Sequence, residues 1–227
     1  MPPTTPARHD LYAAIHKALR HFMVDTLMRL SRVDVADPED LQQTLGQLDE
    51  LLILCGQHLH NENSFIHPAL EAGRPGVSAR IGAEHEEHVQ AIAELQTERK
   101  ALAANPQPAG ALRVYRRLSR FVAENFEHML VEETRHNAAL WELYTDAELD
   151  ELHQRILQSL PMEEVQLVWR WLVPALSPQE RADMMASMPP PVRDMALDVA
   201  QARLNQRDWA KLCRALQVAP MPGLAAA

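Results

Sequence analysis

Glu62 and Glu132 each follow a histidine by four residues, His58 in one case and His128 in the other. Residues four apart stack on one face of a helix, so each pair would present an imidazole and a carboxylate at one point. Those are donor types that hold transition-metal cations. The spacing alone is a weak signal in a chain with eleven histidines, and His67 with Glu71 is a third match, straddling Pro68. The neighbours single out the first two pairs. His58 and Glu62 continue the seam Leu41, Leu45, Leu48, Leu52, Cys55, and Ile66 follows; His128 and Glu132 continue Leu118, Val122, Asn125 and lead to His136. Both carboxylates are therefore expected on a core face, where an ionised group is very costly unless paired or metal-bound. His85 and His88 share a third seam with Ile81, Ile92 and Leu95, and His16 lies in a fourth with Tyr12, Ile15, Leu19 and Met23.

The elements that carry these seams read as helices. Glycine is scarce, 7 of 227 residues, and no period-two stretch is bounded by hairpin turn residues, which predicts an all-α fold. Four long segments come first, at about 8–32, 38–69, 78–103 and 109–144. Asp37 can cap the second, with Pro38 at its first position and Asp40 placed to complete the cap; Pro68 marks its end. Short connections make neighbouring segments antiparallel. "TDAE" from Thr145 and "SPQE" from Ser177 read as capping boxes. They open two of the shorter helices expected at about 146–159, 161–175, 178–187, 192–204 and 206–217. "QLVWRWLVPAL" is apolar on nearly all sides and should be buried against something. Residues 145–219 thus form a helical extension, and 220–227 read as a disordered tail.

The formal net charge of −9 argues against a nucleic-acid partner. The start, "MPPTTPARHD", has no apolar h-region, and no apolar run is long enough to span a bilayer, so the expectation is a soluble cytoplasmic protein with no membrane partner. Cys55 falls on an apolar seam and reads as a small core residue rather than half of a disulfide.

Counted from the short turns, His58/Glu62 lies within about one helical turn of the level of His85, and His85 within about a turn of His128/Glu132. The first segment is offset by about two turns, which its loop must absorb.

The ordered set His16 in "AIHKALR", His58 and Glu62 in "HLHNENSFIHPAL", His85 in "AEHEEHV", and His128 and Glu132 in "EHMLVEE" resembles the hemerythrin-like, or HHE cation-binding, family. "HPAL" matches that family's ending of the second helix, and the resemblance covers about residues 8–144. It implies an up-down-up-down four-helix bundle holding two irons, bridged by Glu62 and Glu132 and by an oxo or hydroxo group, with the four histidines as terminal ligands. It also implies an exchangeable position for dioxygen or a related small ligand. Dioxygen-carrying hemerythrins place a second histidine four residues after the first on the third helix; here that position is Val89, and His88 stands one residue earlier. They also end the set with an aspartate five residues after the last histidine, where this chain has Glu132 at four. The match is thus to the broader HHE branch. His88, His136 and Tyr12 are candidates for further ligands or supporting contacts.

Other histidines read as ordinary. His9, His21, His60 and His153 should face solvent or make local contacts, and His67 should cap the end of the second segment. Arg113, Arg116, Arg117 and Arg120 read as a solvated stripe paired with glutamates. The functional expectation is a non-haem di-iron protein that binds or senses dioxygen, nitric oxide or peroxide. A di-iron enzyme, turning over peroxide or oxidising ferrous iron, is the alternative, and a metal-dependent regulatory module is a third reading. Other divalent metals could fill the same ligands. The C-terminal helices are expected to pack on the bundle, or to serve self-association or a protein partner.

Overall fold

Asp37 opens the second long helix through its carboxylate, which accepts the N–H groups of Glu39 and Asp40, while Pro38 takes the first helical position. Asp40 does not answer that cap. Its carboxylate instead accepts the Asp34 N–H, 2.8 Å away in the preceding loop. The computed structural model describes residues 8–218, and every regular element among them is helical.

The first six helices are α1 (Ala13–Leu30), α2 (Pro38–Asn61), α3 (His67–Gly73), α4 (Ala79–Ala104), α5 (Pro108–Val131) and α6 (Asn137–Leu143). Two π-helical segments interrupt them, Glu62–Ile66 between α2 and α3, and Glu132–His136 between α5 and α6. α1 packs on α2 and α5, and α4 packs on the same two, so the four long helices close a bundle that α3 and α6 extend at one end. Pro68 does not end the second segment, which stays helical to Gly73. The π segment supplies the reason. A proline ring clashes with the carbonyl of the preceding α-turn and lacks an N–H; a widened turn relaxes that clash and resets the hydrogen-bond register just where Pro68 enters.

The apolar interior is in two parts. One cluster runs through Leu19, Phe22, Met23, Leu45, Leu48, Leu52, Cys55, Ile92, Leu95, Leu118 and Val122 and on into the C-terminal helices. The other gathers Leu11, Tyr12, Ile66, Leu70, Ala139, Leu140, Leu149 and Leu152. Arg8 ties the chain start to the second cluster's edge, donating to Asp146 and to the carbonyls of Trp141 and Tyr144.

The remaining helices are α7 (Asp146–Ser159), α8 (Met162–Ala175), α9 (Pro178–Ser187), α10 (Pro190–Arg203) and α11 (Gln206–Leu216). Both expected capping boxes form, at Thr145/Glu148 and Ser177/Glu180. The apolar α8 is covered by α1, α2 and α10. Trp171 stacks on Phe22 of α1, with ring centroids 3.8 Å apart and planes at 11°, and the Arg203 guanidinium lies over the same indole. The arginine stripe on α5 pairs locally, Arg117 with Glu94 and Glu98, and Arg120 with Glu124. Cys55 and Cys213 are both buried and free. No described helix is long and apolar enough to cross a membrane. The expected tail at 220–227 lies outside the described residues.

Two stability effects follow. Trp171→Ala removes the indole that joins α8 to α1 and should cost about 3–5 kcal/mol, read as a shift of the urea unfolding midpoint. Thr145→Ala removes one half of a capping box and should cost only about 1 kcal/mol by the same measurement.

Candidate metal centre

Between the two apolar clusters lies a layer of polar side chains. His16 from α1, His58 from α2, Glu62, His85 from α4, His128 from α5 and Glu132 all project into it. His16, Glu62, His85, His128 and Glu132 are buried, and the His58 side chain is 11 % exposed. Their donor atoms fall into two groups of four. In the first, His16, His58, Glu62 and Glu132 each offer one atom, all within 4.8 Å of one another; in the second, Glu62, His85, His128 and Glu132 do the same.

The glutamates belong to both groups, one oxygen to each side. Glu62 Oε1 stands 3.2 Å from His58 Nε2 and 3.8 Å from His16 Nε2, while its Oε2 stands 3.4 Å from His85 Nε2. Glu132 Oε2 lies 3.5 Å from His16 Nε2, and its Oε1 lies 3.3 Å from His128 Nε2 and 3.6 Å from His85 Nε2. Donors bound about 2.0–2.2 Å from one ion stand about 3 Å apart when adjacent, so these separations suit a shared ion in each group. The two-turn offset of α1 has been absorbed, since His16 Nε2 and His58 Nε2 are 3.2 Å apart.

What holds the imidazoles identifies which nitrogen is free. His16 Nδ1 donates to Glu133 Oε1 at 3.0 Å, His85 Nδ1 to Asn63 Oδ1 at 2.8 Å, and His128 Nδ1 to Glu84 Oε2 at 2.9 Å. Each acceptor is an oxygen, so in the neutral ring the proton sits on Nδ1 and the Nε2 lone pair is left to point inward. His85 Nε2 and His128 Nε2 then face each other at 3.1 Å. Facing lone pairs repel unless a cation lies between or beside them. All four oxygens of Glu62 and Glu132 are buried without a hydrogen-bond partner. A buried orphan acceptor costs about 1–3 kcal/mol, more when charged. Imidazoles anchored from behind by two carboxylates and a carboxamide, converging on unpartnered carboxylate oxygens, form a donor set that fits transition-metal ions and suits iron.

Without an ion the layer would have to balance its own charge. Burial opposes a proton on His16, but the hydrogen bond to Glu133 and the attraction of Glu62 and Glu132 outweigh it and lift the group to about 9. Burial likewise opposes charge on His85, and Glu132 and Glu62 lift it to about 9. Burial disfavours the Glu62 anion, yet His58, His16 and His85 hold its carboxyl well below the usual range. For Glu132, burial and the charge of Glu62 oppose ionisation, and His128 and His85 prevail.

The other expected residues fall in different places. His88 is buried, with its ring edge-on to His128 and to Phe121, and belongs to neither group. Val89, one residue on, is exposed. Tyr12 is fully buried, and its hydroxyl lies 3.4 Å from His136 Nδ1. His136 is buried and grouped with Glu132 and His67. His67 is the departure from expectation. It caps nothing, because the helix continues, and the π turn before it swings its ring inward onto His85. His60 and His21 are exposed, and His9 and His153 lie against each other at the partly exposed junction with α7.

The supporting residues Asn63, Glu84 and Glu133 were not singled out from sequence. Each is next in sequence to a residue of the centre, after Glu62, before His85 and after Glu132, but serves a histidine on a different helix. Adjacency to a residue of the centre was the available signal; the partner across the bundle was not.

No curated protein and no solved structure gives a significant match to the chain. The family model described as the hemerythrin HHE cation binding domain matches residues 9–139, which contain all six residues of the two groups. A bundle of this topology, enclosing two four-donor groups at the positions that family model covers, places the chain in the hemerythrin HHE cation-binding domain family.

Proposed function

We propose that the protein is a non-haem di-iron protein that binds or senses dioxygen, nitric oxide or peroxide. The observation that carries this reading is the division of Glu62 and Glu132 between the two donor groups, one oxygen to each side. Four protein donors per group leave about two of six octahedral positions free for other ligands, and open positions are what reactive metal sites keep. Two irons held there would supply a redox-active, Lewis-acidic centre open to a small ligand. The protein's own contribution is positional. Glu133, Glu84 and Asn63 fix the tautomer and direction of three imidazoles and raise their basicity. The apolar clusters on both sides keep bulk water from the layer and strengthen its electrostatics.

The direct test is metal analysis of aerobically purified protein, with an optical spectrum before and after oxygen removal and nitric oxide addition. Two irons per chain and a reversible spectral change are expected. Sustained peroxide consumption would instead mark an enzyme, and a metal-dependent change in proteolysis of residues 145–227 would mark a regulatory module. Fewer than two irons at saturation would overturn the di-iron reading. Glu62→Gln, which removes a shared charge, should lower the stoichiometry.

Two further outcomes follow from the geometry. Glu133→Ala releases His16 from its anchor and should weaken metal affinity about 10–100-fold, measured by competition with a chromophoric chelator. Metal uptake should also release protons, because His16 and His85 hold theirs up to about 9 in the metal-free protein. Protons compete below that value, so affinity should rise between pH 7 and 9, about tenfold per pH unit for each proton displaced, and level off above.

A further inference from the structure

The two π segments have one position in common: each begins at a shared glutamate, Glu62 or Glu132. The carbonyl of each accepts an N–H from five residues on, His67 in the first case and Asn137 in the second. In an unbroken α-helix, the residue five after Glu62 would face about 140° away from it. The wider turn brings His67 back over the interior; in the second segment His136, four residues after Glu132, lies on the face that an unbroken α-helix would already give it. An imidazole thus lies beside the centre after each shared glutamate, His67 only because of the widened turn, and π insertions are frequent at functional sites.

His67 is 8 % exposed, His136 1 % and Glu132 0 %. One donor atom from each lies within 4.8 Å of the other two. His67 Nε2 is buried with no hydrogen-bond partner, as are both oxygens of Glu132. The His67 ring stacks on His85 at 4.8 Å and meets the His136 ring edge-on at 5.7 Å. The Tyr12 hydroxyl, at 3.4 Å from His136 Nδ1, adds an oxygen at the margin of the group. A core that merely tolerated a buried imidazole would be expected to hydrogen-bond it. His136 has such contacts, with the Tyr12 hydroxyl and the Val77 backbone; His67 Nε2 has none, and it lies beside the equally unpartnered oxygens of Glu132.

We propose that His67, His136 and Glu132 form a third cation position, beside the two-ion centre and sharing Glu132 with it, for a divalent first-row transition ion. Two imidazoles and a carboxylate make a three-donor set familiar for such ions. The position does not depend on which small ligand the centre takes.

Zinc is the probe, because it is redox-silent and accepts both donor types. Metal-free protein is saturated with zinc and desalted, ions per chain are counted by mass spectrometry, and crystals are examined for anomalous peaks above the zinc edge. Three ions per chain are expected, one of them peaking among His67, His136 and Glu132. His67→Phe and His136→Phe keep ring volume and should each lower the count from three to two. His88→Phe, which replaces a buried imidazole outside every donor group, should leave it at three. Two ions in the wild type with no peak beside His67, or three retained in both variants, would overturn the proposal. A peak at His67 and His136 without peaks at the paired groups would support it while overturning the two-ion reading. Should the phenylalanine variants fail to fold, the wild-type anomalous map decides alone.

Discussion

Two carboxylates with all four oxygens buried and unpartnered are the constraint around which the bundle is built. An anion cannot stay ionised in a low-dielectric interior without compensation. Glu62 and Glu132 therefore need either protonated imidazoles or bound cations within reach, and four helices each bring a histidine to within 3.2–3.8 Å of them. The apolar interior is split into two clusters because this layer runs between them.

The imidazoles are held in place by contacts that pass between helices. Asn63, beside Glu62, anchors His85 of α4; Glu84, beside His85, anchors His128 of α5; Glu133, beside Glu132, anchors His16 of α1. The two π segments and α4 thus each supply one residue to the centre and a neighbouring residue that orients a histidine on another helix. Arg20 and Arg80 pair with Glu133 and Glu84 in turn. His58 has no such anchor among the described residues and is the most exposed of the four. The order of helices around the bundle and the chemistry at its centre are thereby coupled, since a rotation of α1 would separate His16 from both its anchor and its carboxylates.

The C-terminal helices brace the same framework from outside. Trp171 stacks on Phe22, six residues along α1 from His16, and Arg170 of the same helix reaches Glu50 on α2. α8 therefore clasps the two helices that carry His16 and His58. The apolar character of α8 on nearly all sides follows from its place between these helices and α10.

Local regularities made much of this legible from the chain alone. The seams of α1, α2, α4 and α5 and both capping boxes rest on periods and spacings that hold within a single helix, and the levels of the six His and Glu residues follow from the short turns that set helix register. Tertiary structure alone decided the rest. Which glutamate oxygen faces which histidine pair depends on the relative rotation of four helices. Asn63, Glu84 and Glu133 gained their roles only when a neighbouring helix brought a histidine to them. His67 was misplaced because a period of 3.6 residues assumes an unbroken α-helix, and one widened turn after Glu62 changes the face of every residue beyond it. His88 shares a seam with His85, yet a shared helix face places a side chain in the interior without aiming its nitrogen at a given point.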